Sequence, residues 1–251
     1  MSLLPNRPTF SVIIPALNEE GNIGTLVAEI FTATADTDYP ATFVDVVVVD
    51  NGSNDRTAEF AIAAGARVVA EPKPGYGRAC FAGALSASNA DILVFMDGDR
   101  SEVPAEMAGL LVPLIGGTAD FVIGSRVRGY VEPGALSRPQ RAGNRVASIT
   151  LRLLYRLDVT DLGPFRAIRR VDLLSLGMTE MTYGWPTEML ARSAQAGLRV
   201  HEIPVSCRRR VTGVSKVSGN PKAVVKTGWR ISQTIWRVRR SDVPRLREIP
   251  A

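Results

Sequence analysis

Residues 44–50 read VDVVVVD, and no segment constrains the fold more. Four consecutive valines put branched side chains on both faces of an extended chain, so both faces have to be buried. Such a strand belongs inside a sheet covered by helices on each side. The flanking sequence supplies the rest. FSVIIP (10–15) is a strand ended by proline, RVVA (67–70) a third strand, ILVFMD (92–97) a fourth and DFVIG (120–124) a fifth. Between them, residues 22–33 put Ile23, Leu26, Val27 and Ile30 on one helical face. SNDRTAEFAIAAG reads as a capped helix stopping at Gly65, and GRACFAGALSASN as a helix of small residues suited to close packing on a sheet. The alternation predicts a largely parallel sheet with right-handed crossovers.

After Gly124 the rhythm changes. SRVRGYVEPGALSRPQR reads as a loop, 142–156 as a helix, and DLGPFRAIRR leads to a helix from about Val171. A turn at TYGWP precedes a helix from Glu188 to Ala196. LRVHEIPVSCRRR is a strand and VTGVSKVSGNP a loop. A last helix runs from about Pro221 to Arg240. On a helical wheel Lys222, Lys226, Arg230, Arg237 and Arg240 share one face, and Val224, Val225, Trp229, Ile231, Ile235, Trp236 and Val238 the other. This pattern fits a helix packed on the domain or one lying in a membrane interface.

Charge is divided unevenly along the 251 residues. The first 125 carry 6 Lys/Arg against 16 Asp/Glu, and the rest carry 24 against 9. The basic half is expected to meet something anionic. No run of about 18 apolar residues occurs, so no membrane span is expected, and MSLLPNRPTF lacks the layout of a signal peptide. Cys80 and Cys207 are too isolated for a disulfide framework or metal knuckle, so a cytoplasmic setting is the default. Both read as core or strand residues, and His201 as a half-buried strand residue.

Ligands of open parallel sheets sit at the carboxyl ends of the strands. Here those ends read PALNEE, DNGSND, EPKPGYG and DGD. Acidic groups converging on one crevice repel one another unless a cation or a donor-rich ligand intervenes. Asp97 and Asp99, separated by Gly98, suit Mg2+ or Mn2+, hard cations that prefer carboxylate oxygen and retain positions for water and phosphate. Gly98 is expected to let the chain turn so that both carboxylates face one site. Asp50 either closes an Asx turn or accepts hydrogen bonds from a nucleoside. No GxGxxG follows the first strand and no Walker A sequence occurs.

PALNEE, VVVVDNGSNDRT, KPGYGRACFAGA and MDGDR, in this order and spacing, resemble the family-2 glycosyltransferases of GT-A fold. The match covers about residues 10–125. GSR, DLGPFRAIRR and RRRVTGVSKVSG more loosely resemble the branch containing dolichyl- and polyprenyl-phosphate mannose and glucose synthases. The resemblance implies one α/β GT-A domain over 1–251, with a mostly parallel sheet flanked by helices. Residues 10–125 would bind the nucleotide sugar, about 126–220 the acceptor, and 221–240 would form the basic amphipathic helix. It further implies that Pro15, Leu17, Glu19 and Asp50 surround a uridine or guanosine, with Gly77 and Arg78 near ribose or phosphates. Asp97 and Asp99 would hold the metal on the diphosphate, and Arg126, Arg210, Ser215 and Lys216 would contact phosphates of donor or acceptor. Two positions depart from the family pattern: Asn51, where a second aspartate is usual, and Leu162-Gly163-Pro164-Phe165, where a Thr-Ser-Gly-Phe-type turn is common.

The expected reaction is inverting transfer from a nucleotide sugar to a polyprenyl phosphate. The protein would be peripheral at the cytoplasmic membrane face, and a homo-oligomer is compatible with this. An ionised phosphate acceptor needs positive charge around it and no base, whereas a hydroxyl acceptor needs a base. Glu188 is the candidate base in that alternative, although a glutamate just after Pro186 and Thr187 also suits a helix start. Arg138, Arg141 and Arg145 either line an acceptor entrance or solubilise a helix start. A nucleotidyltransferase would want a basic Gly-rich loop after the first strand, where ALNEE stands. A nucleic-acid binder would need a recognition motif, and none is present.

Overall fold

The computed structural model describes residues 7–210, 221–241 and 246, with the side chains of 221–228 excepted. In chain order the elements are β1 (Thr9–Ala16), α1 (Ile23–Ala33), β2 (Thr42–Asp50), α2 (Thr57–Ala63), β3 (Arg67–Ala70), α3 (Tyr76–Ser86) and β4 (Ile92–Phe95). A single 3-10 turn at Pro104–Glu106 leads into α4 (Met107–Ile115). Then follow β5 (Phe121–Ser125), α5 (Arg138–Tyr155), β6 (Arg166–Arg169), α6 (Arg170–Ser175), α7 (Trp185–Gln195), β7 (Val200–Pro204) and α8 (Pro221–Arg239).

The seven strands form one sheet in the order β3-β2-β1-β4-β6-β5-β7. β6 runs antiparallel to both neighbours and the other pairings are parallel. β2 is buried on both faces, as its valines require: Val47 and Val49 join one apolar layer, and Val46 and Val48 the other. Each such valine contributes about 1.5–3 kcal/mol by leaving water. α1, α2 and α4 cover one face of the sheet, and α3, α5, α6, α7 and α8 supply the layer on the other. The small residues of α3 have a definite use. A Cβ at Gly83 would stand 2.4 Å from Ile13 Cγ2 and 3.0 Å from Val49 Cγ2, so glycine lets this helix touch the sheet.

The strand β6 is not anticipated by the sequence pattern, because its four residues, RAIR, begin and end in arginine. Arg166 is nevertheless 1% exposed. Its guanidinium donates to the carbonyls of Leu162 (3.0 Å), Pro186 (3.1 Å), Pro164 (3.3 Å) and, at short range, Gly163. Two helices also begin earlier than expected. α7 starts at Trp185 rather than Glu188, and α5 at Arg138, where Ser137 and Gln140 form a reciprocal capping box.

Candidate active site

The chain enters the sheet at β1, builds outward to β3, then crosses to β4 on the other side of β1. The carboxyl ends of β1 and β4 therefore flank a topological switch point, where the loops on either side part and leave a crevice. A cleft of about 870 Å³ opens there. One wall is acidic, made by Glu19, Asp97 and Asp99. Arg126, Arg208, Arg209 and Arg210 also line the cleft, and Arg210 contacts the acids directly.

The acidic wall is held by loop–loop bonds. The Glu19 N–H donates to Thr57 Oγ1 (2.8 Å), the Asn18 N–H to Ser53 Oγ (3.0 Å) and the Asn54 N–H to Asn18 Oδ1 (2.8 Å). Asn18 adopts φ +53°, the left-handed conformation that asparagine tolerates. In the DGDR turn the left-handed residue is Arg100, at φ +62°, whereas Gly98 has no positive φ. The expectation that Gly98 supplies the sharp turn is thus corrected. Nor does space demand glycine there, since a Cβ would stand 3.4 Å from Glu19 Cγ and 3.5 Å from the Pro15 carbonyl, ordinary contact distances.

Asp97 accepts a hydrogen bond from the Tyr76 hydroxyl at 3.0 Å. Its side chain reaches the cleft yet lies deep, and burial, together with the neighbouring Asp99 charge, pushes its pKa up to about 7. Behind it Glu102, 2% exposed, accepts from the Asp97 N–H (3.2 Å) and from Ser101 Oγ (3.0 Å). Burial, then the charges of Asp97 and Asp99, hold Glu102 well above the usual carboxylate range. Asp99 accepts from the Ser101 N–H (2.9 Å) and from Arg210 Nη2 (2.5 Å), while Arg210 Nη1 reaches Glu19 Oε1 (3.3 Å).

The segment after β7 that carries Arg210 is fastened to this turn. The Arg208 N–H donates to the Ser101 carbonyl (2.8 Å), and the Arg208 side chain reaches Glu29 (2.9 Å), which also holds Arg100. Arg126 is fixed from behind by Asp161, which accepts from its Nε and Nη2 at 2.8 Å each and from its backbone N–H at 2.9 Å. Burial alone would lower the Arg126 pKa, but the Asp161 bonds and charge outweigh it and raise it.

As for cation binding, Asp97 and Asp99 offer hard oxygen donors. Among the described residues no group of three or more His, Cys, Asp or Glu is arranged to hold a metal. Such an incomplete donor set suits Mg2+ or Mn2+ when substrate phosphate and water complete the shell.

Of the residues singled out in the sequence, Pro15, Leu17, Glu19, Asp97, Asp99, Arg126 and Arg210 line this cleft. Others do not. Asp50 closes a turn by accepting from the Ser53 N–H (3.0 Å), and its neighbour Asn51 is the one on the wall. Gly77 is buried against α7: a Cβ would meet the Glu180 carbonyl at 2.5 Å and Trp185 Cδ1 at 2.8 Å. The Arg78 N–H donates to the Met181 carbonyl (3.1 Å). Arg138 is exposed, while Ser137 and Gln140 beside it line the cleft. Ser215 and Lys216 lie outside the described residues.

Glu188 requires correction as a candidate base. It is fully buried outside the cleft. Its carboxylate accepts from the Thr179 N–H (2.9 Å), Thr179 Oγ1 (2.7 Å), the Glu180 N–H (2.6 Å) and Arg192 Nε (3.0 Å). His201 is exposed on the edge strand β7 rather than half-buried. The grouping of α8 residues also changes. Ile231, Ile235 and Val238 pack inward, but Trp229 and Trp236 are 66% and 53% exposed. Arg230 and Arg237 instead reach the buried Glu180, each at 3.3 Å. The sequence did not single out Tyr76, Glu102 or Tyr183, which lines the cleft with its ring stacked on Tyr76 at 6.3 Å between centroids. The tyrosine inside KPGYG was the available signal for the first of these.

The family model for glycosyl transferase family 2 matches residues 11–177. The chain belongs to glycosyl transferase family 2. This glycosyltransferase is 41% identical over 212 residues to an uncharacterized glycosyltransferase of Mycobacterium tuberculosis (strain ATCC 25618 / H37Rv), covering 84% of this chain and 90% of that one. It is 35% identical over 204 residues to the dolichyl-phosphate hexose transferase of Haloferax volcanii, covering 80% and 83% of the two chains. Among solved structures it resembles glucosyl-3-phosphoglycerate synthase from Mycobacterium tuberculosis in complex with Mn2+, uridine diphosphate and phosphoglyceric acid. That likeness has a TM-score of 0.74 at 23% identity, over 94% of this chain and 80% of that one. The same synthase with Mg2+ and uridine diphosphate gives 0.72 at 24%, over 92% and 79%. The glycosyltransferase therefore has the GT-A fold expected from its motifs. No helix of the described residues is long and apolar enough to cross a membrane.

Proposed function

We propose that this glycosyltransferase moves a sugar from a nucleoside-diphosphate sugar to a polyprenyl phosphate, with inversion, at a membrane surface. A phosphate oxygen of the acceptor attacks the anomeric carbon from the face opposite the leaving group. The bond from that carbon to the diphosphate breaks, and the nucleoside diphosphate departs. No proton has to be removed from an ionised phosphate, so no base is required.

The observation that carries this reading is the make-up of the cleft. Within it, the acids Glu19, Asp97 and Asp99 suit a cation-bound diphosphate and four guanidiniums suit phosphate oxygens, while Glu188, the candidate base for a hydroxyl acceptor, is buried elsewhere. Asp97 and Asp99 would hold Mg2+ or Mn2+, which when bound supplies positive charge to the departing diphosphate. Arg126, positioned by Asp161, and Arg210 would add charge-assisted bonds to phosphate oxygens, with Ser215 and Lys216 following Arg210 in sequence. Pro15, Leu17 and Glu19 would border the nucleoside.

The Haloferax relative, a dolichyl-phosphate hexose transferase by name, supports a lipid phosphate at 35% identity. The bound ligands of the mycobacterial synthase favour a second reading, with uridine diphosphate leaving and a small phosphorylated acid accepting, from a chain only 23% identical.

The test is to incubate the protein with labelled uridine- or guanosine-diphosphate hexoses, Mn2+ and a short-chain polyprenyl phosphate, then extract glycolipid into organic solvent. The reading expects label in the organic phase, lost with Asp99→Ala. Label that appears only on phosphoglycerate would replace the lipid acceptor with the second reading.

A further inference from the structure

Helix α5 turns apolar side chains to the outside. Val146, Ile149 and Leu153 are 65%, 49% and 76% exposed. At 3.6 residues per turn they fall within about 60° of one another, forming one stripe. Arg138, Arg141, Arg145, Arg152 and Arg156 are exposed along one side of that stripe. No acidic residue occurs between 138 and 156, and the nearest in sequence, Asp158, stands 3.6 Å from Arg152. The neighbouring helix α8 is tied to α5 by the Tyr155 hydroxyl, which donates to the Ile235 carbonyl at 2.5 Å. Trp229 and Trp236 are exposed on α8, as are Arg239 and Arg240.

We propose that the outer faces of α5 and α8 dock on an anionic lipid bilayer, an inference that rests on the lipid-phosphate reading above. Val146, Ile149 and Leu153 enter the acyl-chain boundary, the tryptophans sit at headgroup level, and the arginines meet lipid phosphates. An 18-residue amphipathic helix with arginines beside an apolar stripe has the make-up of a helix lying in the interface. Ser137 and Gln140 at the start of α5 line the cleft, so docking brings the cleft rim to the depth at which a lipid-borne phosphate is found. A second copy of the chain fits this face poorly. A two-fold contact sets the same patch against itself, and guanidiniums would then face guanidiniums with no carboxylate on α5 to meet them.

The experiment floats the full chain with vesicles of phosphatidylcholine alone and of phosphatidylcholine mixed with phosphatidylglycerol, beside the triple variant V146E/I149E/L153E. Preferential binding to the phosphatidylglycerol vesicles is expected, and the variant should lose about tenfold or more of it. A second variant, R152E/R156E, leaves the apolar stripe intact and should lose the dependence on anionic lipid. It decides the matter should the first fail to fold. Equal flotation of wild type and both variants overturns the proposal. So does absence of wild-type binding, or a wild-type dimer in light scattering that the variants convert to monomer. Turnover of a detergent-dispersed short-chain polyprenyl phosphate is measured in parallel and should be unchanged in the variants. Vesicle binding without any such turnover counts against the acceptor reading alone, and turnover without binding counts against this docking face alone.

Discussion

Arg210 sets one guanidinium nitrogen 2.5 Å from an Asp99 carboxylate oxygen and the other 3.3 Å from Glu19, bridging the two acids across the mouth of the cleft. In the absence of donor the guanidinium neutralises charge that a cation and a diphosphate would otherwise organise. In the function proposed above, the same side chain would contact the donor phosphates. Arg210→Ala should therefore lower kcat/KM by about 10²-fold, the scale of one lost electrostatic contact to a developing charge. Without donor its melting temperature should also fall, because Glu19 and Asp99, both buried, lose the counter-charge they share. Arg210→Lys should recover only part of the loss, since one ammonium cannot span both acids in the same way. Steady-state kinetics of the two variants beside thermal melts check this.

Asp97 makes the metal-free protein sensitive to pH. Its pKa rises from an ordinary 3.8 to about 7 on folding, so between these values the folded chain keeps a proton that the unfolded chain releases. Stability falls as pH rises through that window, and the full cost is present above it. Asp97→Asn should raise the melting temperature in chelator at about pH 8 and change it little at about pH 4. It should also abolish the stabilisation that Mn2+ with a nucleoside diphosphate gives the wild type. Scanning fluorimetry at the two pH values checks both outcomes.

Glu188→Ala should damage stability rather than chemistry. The substitution leaves Arg192, 7% exposed, without its carboxylate and frees three donors from residues 179 and 180. Breaking a buried pair in this way costs about 3–5 kcal/mol. Denaturant titration should find that loss, while kcat per folded molecule at low temperature stays within a few-fold of wild type.

Asn51→Asp, which restores the family's usual residue, should weaken the donor end of the cleft. The Asn51 amide donates to the carbonyls of Glu71 and Lys73 at 2.8 Å each and accepts from the Gly75 N–H at 2.8 Å. An aspartate cannot donate and would set its charge against two carbonyls, at about 1–3 kcal/mol. KM for the nucleotide sugar is expected to rise more than kcat falls.

Gly77→Ala tests whether that glycine serves a ligand or packing. With the Glu180 carbonyl 2.5 Å from the new methyl group, α3 has to move away from α7, at about 1–3 kcal/mol. A packing role predicts a lower melting temperature with KM for the donor changed far less than in Asn51→Asp.

These variants also mark where a linear reading stops. VDVVVVD, the apolar spacing of 22–33 and the acid-ended strands are local patterns, and they made the parallel sheet and the acidic side of the crevice legible. β6 was not legible, because its arginines mask a buried strand and are satisfied only by carbonyls of a folded loop. Glu188 sits where a helix start would place an acid, and nothing nearby in sequence reveals that Thr179 and Arg192 enclose it. The wheel drawn for α8 put Arg230 and Arg237 toward solvent. Glu180, some 50 positions earlier, takes an ion pair from each while both stay half-exposed, and the tryptophans lie outside. Asn51 looked like a lost contact because its partners, the carbonyls of Glu71 and Lys73, are backbone atoms common to every sequence.

Glu180 is itself 2% exposed, and apart from Thr182 its carboxylate is met by Arg230, Thr234 and Arg237 of α8. A truncation before residue 221 would do more than shorten a tail. It would take Arg230, Thr234 and Arg237 from Glu180 and uncover the apolar surface on which Ile235 and Val238 pack, so the shortened protein would be a poor proxy for the enzyme. Affinity handles and fusion partners belong at the other terminus.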